Sequence, residues 1–262
     1  MFNFHSHTLY CGHGTNTPEE MIKTAVDMGL SSIGISEHYG KDINGNWFGH
    51  SIKDPDNYIK DCLSAKEKYK DKIDIQIGFE MDFQFYNYKE IYSEIMSYNP
   101  DYILGSIHWM AEEENFNIFE ATEDNLYEVI RNYLTAYIKM INTGYINSLD
   151  HFDMYKKFAV VDREEELYPY YEDLAKALKA NNVAMEINTH YYYEGVYTPD
   201  PNHYMLRLAK EYDIPVIVSS DAHSTDTITC MFDEAFEVLK EVGIKTTCRF
   251  KNRQVIKEAF KP

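Results

Sequence analysis

The sequence predicts an α/β fold: a parallel β/α barrel of the TIM-barrel kind, formed as a single domain over residues 1–262. Three observations predict it. Short apolar runs alternate with amphipathic helical stretches about seven times, the pattern of parallel strands joined by helical crossovers. The length of 262 residues suits it, because single β/α barrels commonly run to about 250. Finally, His, Asp and Glu recur at or just past the ends of the apolar runs, and a barrel's site is built from the C-terminal ends of its strands.

Taken in order, Phe2–His5 reads as the first strand. Thr17-Pro18-Glu19-Glu20 then supplies an N-cap, a Pro in the first turn and a Glu placed for a capping box. Met21, Ile22, Ala25, Val26 and Met28 make one apolar helical face, and Gly29 stops it. Ser32–Ser36 is the second strand, and Asp54-Pro55 opens the next helix. Ile73–Phe79 and Tyr102–Ile107 follow as strands, then a helix over Glu123–Ile141 and a strand over Ile146–Leu149. Tyr170–Ala180 is helical, Val183–Ile187 extended, and Asp200-Pro201 opens another helix. Pro215–Ser219 is the last strong strand, with a weaker one at Thr246–Phe250. Their β-branched content and short length favour strand over helix.

A formal net charge of −18 argues against a nucleic-acid or anionic-membrane partner, since binding phosphate backbones needs clustered Lys and Arg. A small phosphorylated metabolite stays compatible if bound cations dominate the local charge. The chain has no long apolar run and no leader-like start, so a soluble, cytoplasmic protein is expected. The four cysteines lack a CxxC spacing and read as reduced thiols. Cys11 lies between two candidate ligands but reads first as a small buried filler.

Chemistry concentrates in the histidines, seven of which, out of ten, fall in one ordered series with acids. His5-Ser-His7 presents two imidazoles on one side of a strand, because side chains alternate with period two. Asp221-Ala-His223 repeats that spacing after Val216-Ile217-Val218. His13, His38, Glu80, His108 and His151 fill the series between. Alone, His108 or His151 reads as a hydrogen-bonded histidine; together these residues read as a multinuclear site. Imidazole nitrogen and carboxylate oxygen suit zinc, manganese or iron. Glu37 reads as a partner orienting an imidazole. His190 faces the site without being a ligand, His203 is surface, and His50 has no assigned role.

The order His5-x-His7 with His13, Ser36-Glu37-His38, Gly78-x-Glu80, Gly105-Ser106-x-His108, His151 and Ser220-Asp221-Ala222-His223 resembles the polymerase-and-histidinol-phosphatase (PHP) superfamily, most closely its histidinol-phosphate phosphatases. The resemblance runs from residue 4 to about residue 224. It implies a distorted seven-stranded barrel holding three divalent metal ions. One ion takes His5, His7, Glu80 and Asp221; a second shares Glu80 and adds His108 and His151; the third takes His13, His38 and His223. It implies a phosphomonoesterase acting on L-histidinol phosphate through a metal-bridging hydroxide, with Glu80, Asp221 and His223 in the catalytic machinery. A phosphatase or phosphodiesterase of the same superfamily with another small ester, an amidohydrolase, and a vestigial metal-holding barrel are the alternatives. Oligomeric state is not readable.

The chain departs from the phosphatase pattern in the loop Thr189–Tyr197, where a phosphate-gripping base is expected and no Arg or Lys occurs. His190 is the only residue of that loop able to carry a positive charge. Arg163 and Arg207, with Lys156 and Lys157, are the basic candidates elsewhere, and Trp109 with the Tyr cluster suits a ring-bearing substrate.

Overall fold

The computed structural model describes residues 1–47, 49–108, 121–122, 124–157, 160–190 and 203–260. Seven strands pair in sequence order, all parallel: β1 (Phe2–Asn3), β2 (Ser32–Tyr39), β3 (Asp74–Asp82), β4 (Tyr102–Ser106), β5 (Ser148–Leu149), β6 (Ala184–Asn188) and β7 (Val216–Ser219). A parallel bridge between Ser6 and Ala222 joins the first and last strands. There the His7 N–H donates to the Ala222 carbonyl (2.7 Å) and the Ala222 N–H to the His5 carbonyl (3.2 Å). The sheet is therefore the seven-stranded barrel the sequence led us to expect.

Helices α1 (Pro18–Asp27), α2 (Pro55–Tyr69), α3 (Tyr88–Ser97), α4 (Leu126–Asn142), α5 (Tyr168–Asn181), α6 (His203–Glu211) and α7 (Phe232–Val242) run between the strands. The capping box at α1 forms: Thr17 accepts from the Glu20 N–H, and the Glu20 carboxylate accepts from the Thr17 N–H. Asp54 caps α2 through the Asn57 N–H at 3.1 Å. The Asp200-Pro201 helix start lies outside the described residues.

Strand ends differ from the sequence reading in a way that matters for the site. β2 and β3 stay paired from Ser32↔Asp74 to Tyr39↔Met81, so Glu37, His38 and Glu80 lie within strands and not beyond them. Both strands are covered on both faces, and continued pairing is then the way to satisfy their peptide groups. β1 is shorter than expected, because beyond Asn3 the chain bonds to side chains and to the closing seam: the His5 N–H donates to Asn3 Oδ1 at 3.1 Å.

Phe4, Tyr102, Leu104, Ala184 and Ile217 fill the barrel interior and meet Cys248 and Phe250 from a hairpin of β8 (Thr246–Lys251) and β9 (Gln254–Ala259). The sequence anticipated the first strand of this hairpin and not its partner. Asn252 and Arg253, at φ 51° and 60°, make the left-handed turn between them. Phe250 stacks on Tyr102 at 5.0 Å and meets Phe4 edge-on at 5.4 Å. The Arg253 N–H donates to the Asp101 carbonyl, and the Asn147 amide to the Arg253 carbonyl, both at 2.9 Å. Asp101 and Asn147 immediately precede β4 and β5, so the hairpin plugs the N-terminal end of the barrel and leaves the C-terminal end to the histidines. Gly34 and Gly78 make room for Tyr102: a Cβ on Gly34 would lie 2.2 Å from its hydroxyl.

Phe250→Ala is expected to cost about 3–5 kcal/mol, since it empties a site that no neighbour can fill. Urea denaturation measures it, and a loss below about 1 kcal/mol would mean the hairpin does not complete the core. Among the described residues, no helix is long and apolar enough to cross a membrane.

Candidate metal centre

The seam that closes the barrel is also where the centre starts. Ser6 and Ala222 pair across it, and strand alternation turns their neighbours His5, His7, Asp221 and His223 the other way. His5 Nε2 and His7 Nε2 lie 3.0 Å apart, and Asp221 Oδ1 lies 3.3 Å from the first and 3.1 Å from the second. Asp221 sits at φ 47°, a left-handed conformation uncommon for non-glycine residues but one that Asp tolerates better than most.

Glu80 stands at the middle. Its register partner across β2–β3 is His38, whose Nδ1 lies 2.7 Å from Glu80 Oε2. The same oxygen is 3.4 Å from His5 Nε2 and 3.3 Å from His7 Nε2. Oε1 is 3.0 Å from His151 Nε2 and 3.5 Å from His108 Nε2. The donor atoms of His5, His7 and Glu80 fall within 4.8 Å of one another, as do those of His5, His151 and Asp221, and those of His13, His38 and His223. The structure thus brings together all nine residues of the expected ligand series.

Most of these imidazoles are held from behind. Glu186 Oε1 takes His5 Nδ1 at 2.7 Å, Asp82 takes His108 Nδ1 at 2.5 Å, and the Asp221 carbonyl takes His223 Nδ1 at 2.8 Å. Glu37 lies 3.6 Å from His7 Nδ1 and is itself anchored by the Thr8 N–H at 2.7 Å. A proton pinned on Nδ1 leaves the Nε2 lone pair facing the centre, the tautomer a ligand needs.

The electrostatics are those of buried acids among imidazoles. Burial opposes charge on His5, yet Asp221, Glu186 and Glu80 together hold its pKa well above the ordinary value. His7 behaves likewise, through Asp221, Glu37 and Glu80. Burial would raise Glu80, but His38, His5 and His108 hold it well below the carboxylate range. Burial, then His38, His7 and His50, push His13 down to about 4. Asp150, behind His5 at 3.8 Å, is raised by burial and by Glu186.

The donor set fits divalent cations. His38 Nδ1, Glu80 Oε2, Asp221 Oδ1 and His223 Nε2 are buried without a hydrogen-bond partner, although several lie about 3 Å from another donor. Close approach without hydrogen-bond alignment is what side chains show when they point at a common third centre, and orphaned buried polar atoms are otherwise costly.

Asp82, Glu186 and Asp150 are contributors the sequence reading passed over. A spacing of two from Glu80 and from Asn188 along a strand was the available signal for the first two. His50 was passed over as well: its ring lies 3.9 Å from that of His13. His190 sits at the rim, its ring 5.9 Å from that of His223 and its N–H on Asn188 Oδ1. Arg163 is half exposed, paired with Glu166 and stacked 4.2 Å over Tyr127, away from the cluster. Arg207 lines an outer groove between α6 and α7 with Lys210, Glu241 and Val242. Lys156 is paired with Glu164 at 3.0 Å. Trp109 and the tyrosines of the Thr189–Tyr197 loop lie outside the described residues. Cys11 is buried, its Sγ 3.1 Å from the Thr8 carbonyl and 3.2 Å from the Gly14 N–H, which folds the loop carrying His13. Its sulfur is also within 4.8 Å of donors on His7 and His223.

Glu186→Gln is expected to weaken metal binding by about 10- to 100-fold while the fold persists. Competition with a chromophoric chelator measures it; unchanged affinity would show that His5 needs no carboxylate behind it.

The model of the PHP domain family matches residues 3–190. A probable histidinol-phosphatase from Deinococcus radiodurans is 26% identical over 260 residues, covering 96% of each chain. The crystal structure of histidinol phosphate phosphatase from Lactococcus lactis, complexed with zinc, L-histidinol and phosphate, superimposes with a TM-score of 0.80 at 22% identity, covering 98% of each chain. A putative histidinol phosphatase from Listeria monocytogenes gives a TM-score of 0.74 at 20% identity, over 89% of this chain and 99% of that one.

Proposed function

The chain belongs to the PHP domain family, and on that premise we propose that it is a metal-dependent phosphomonoesterase that hydrolyses L-histidinol phosphate to L-histidinol and phosphate. The observation that carries this reading is the convergence of nine imidazole and carboxylate side chains on the C-terminal end of the barrel, several with orphaned buried donor atoms. The full-length similarity to the Deinococcus protein and the fold of the Lactococcus enzyme support the substrate.

In this reading His5, His7, Glu80 and Asp221 would hold one ion, Glu80, His108 and His151 a second, and His13, His38 and His223 a third. Zinc, manganese and iron all suit these donors. Bound divalent ions supply charge neutralisation at phosphate and activation of water near neutral pH. The protein's own part is positional. Glu186 and Asp82 fix the tautomers of His5 and His108, and Glu80 ties five imidazoles to one carboxylate. Asp221 and His223 keep side-chain exposures of 12% and 21%, so both face the entry side and are placed to manage the proton of the departing alkoxide. His190 and the exposed His50 stand at the same rim, beside His223 and His13, where they could donate hydrogen bonds to an entering phosphate. The reaction belongs to histidine biosynthesis in the cytoplasm, with a small phosphorylated metabolite as partner and neither nucleic acid nor membrane, in one PHP-type domain spanning residues 1–262.

The test is phosphate release from L-histidinol phosphate beside a panel of phosphomonoesters and one phosphodiester, with Zn²⁺ or Mn²⁺ supplied. A kcat/KM for histidinol phosphate well above the panel is expected. Comparable slow release across the panel would reject this substrate, and preference for the diester would reject the monoesterase.

A further inference from the structure

The backbone just before His108 is held by groups that the ligand set does not include. β4 ends at Ser106, so Ile107 has left the pairing that would satisfy its peptide groups. Both groups are taken instead by two buried tyrosines one turn apart on α4. The Ile107 N–H donates to Tyr137 Oη at 3.3 Å, and the Tyr133 O–H donates to the Ile107 carbonyl at 2.7 Å. The two hydroxyl oxygens are 2.9 Å apart.

A phenol has one proton, and Tyr133 uses its own on the carbonyl, so Tyr137 is the donor between the hydroxyls. A closed array results, running from the Ile107 N–H through Tyr137 and Tyr133 back to the Ile107 carbonyl. Tyr133 and Tyr137 are 1% and 0% exposed, so no solvent is at hand to replace a missing member. The next residue, His108, has its ring held on the other side by Asp82 and directs Nε2 at Glu80. Packing of α4 against the barrel needs the two rings and not their hydroxyls, because phenylalanine would fill the same volume.

We propose that Tyr133 and Tyr137 are positioning residues that set the Ile107 backbone so that His108 reaches the ion shared with Glu80 and His151, and thereby set the affinity for that ion. This rests on the metal reading above. It names a specific lever on one ion of the cluster, carried by a helix that contributes no ligand.

The experiment strips the protein of metal and titrates it with Zn²⁺ in competition with a chromophoric chelator, for wild type, Tyr133→Phe, Tyr137→Phe and the double variant. His108→Ala and His13→Ala are the references. About 10- to 100-fold weaker binding of one zinc per chain is expected, the same zinc that His108→Ala weakens and not the one that His13→Ala weakens. On a His108→Ala background the tyrosine changes are expected to have no further effect. Unchanged affinity in the double variant, or equal weakening with and without His108, would overturn the proposal. Each single variant keeps both rings and removes two of the array's three hydrogen bonds, so either carries the test if the double variant does not fold. A wild type that binds no zinc would overturn the metal reading itself, a result distinct from failure of the tyrosine variants alone.

Discussion

Glu80→Gln is expected to lower turnover of a phosphomonoester by about 10³-fold or more, equivalent to about 4 kcal/mol of transition-state stabilisation. The substitution keeps side-chain volume and removes the charge at the centre of the cluster. Glu80 Oε1 and Oε2 between them lie within 3.5 Å of His5, His7, His38, His108 and His151. A neutral amide cannot bridge two cations, because its NH₂ offers a metal no lone pair. The cavity is unchanged, so circular dichroism should stay that of the wild type while metal content falls. Steady-state kinetics in metal-replete buffer decide it. Activity within about tenfold of wild type would remove Glu80 from the catalytic machinery.

Exhaustive chelation is expected to abolish activity and to lower the melting temperature, with Zn²⁺ or Mn²⁺ restoring both. An ion present at 100 times its Kd stabilises the folded state by about 2.7 kcal/mol, which corresponds to about 5–10 °C for a domain of this size. The sign follows from the site itself. Glu80, Asp221, Glu186, Glu37 and Asp150 are all buried, and a cation among them relieves repulsion that imidazoles alone offset incompletely. Calorimetric melting beside a phosphate-release assay follows both quantities. A sample verified as metal-free that still turns over at the wild-type rate would sink the assignment.

The His5-Ser-His7 and Asp221-Ala-His223 pairs were legible because strand alternation is a local rule: a spacing of two commits both side chains to one side. The capping box at Thr17 was legible for the same reason, since all its partners lie within one turn. The position of Glu37 was half legible; its role behind an imidazole was foreseen, but Thr8 as its anchor was not. Trp109 and the Tyr-rich loop stay outside the described residues, while Arg163 and Arg207 show how little a basic residue's sequence position says about where its head group points. Both are long side chains on exposed segments and pair with nearby acids or line outer grooves.

The sequence by itself determined the order of strands and helices, which follows from periodicity along the chain, and it singled out nine side chains that the structure brings together. The tertiary structure alone decided what surrounds them. That Asp82 and Glu186 back the imidazoles, that the His50 ring meets that of His13, that the β8–β9 hairpin plugs the barrel, and that Tyr133 and Tyr137 close on Ile107 all depend on strand register and on contacts between distant segments. Register shifts by one residue exchange the two faces of a strand, and local propensity is nearly blind to such shifts. Packing across the closed barrel is what selects among them.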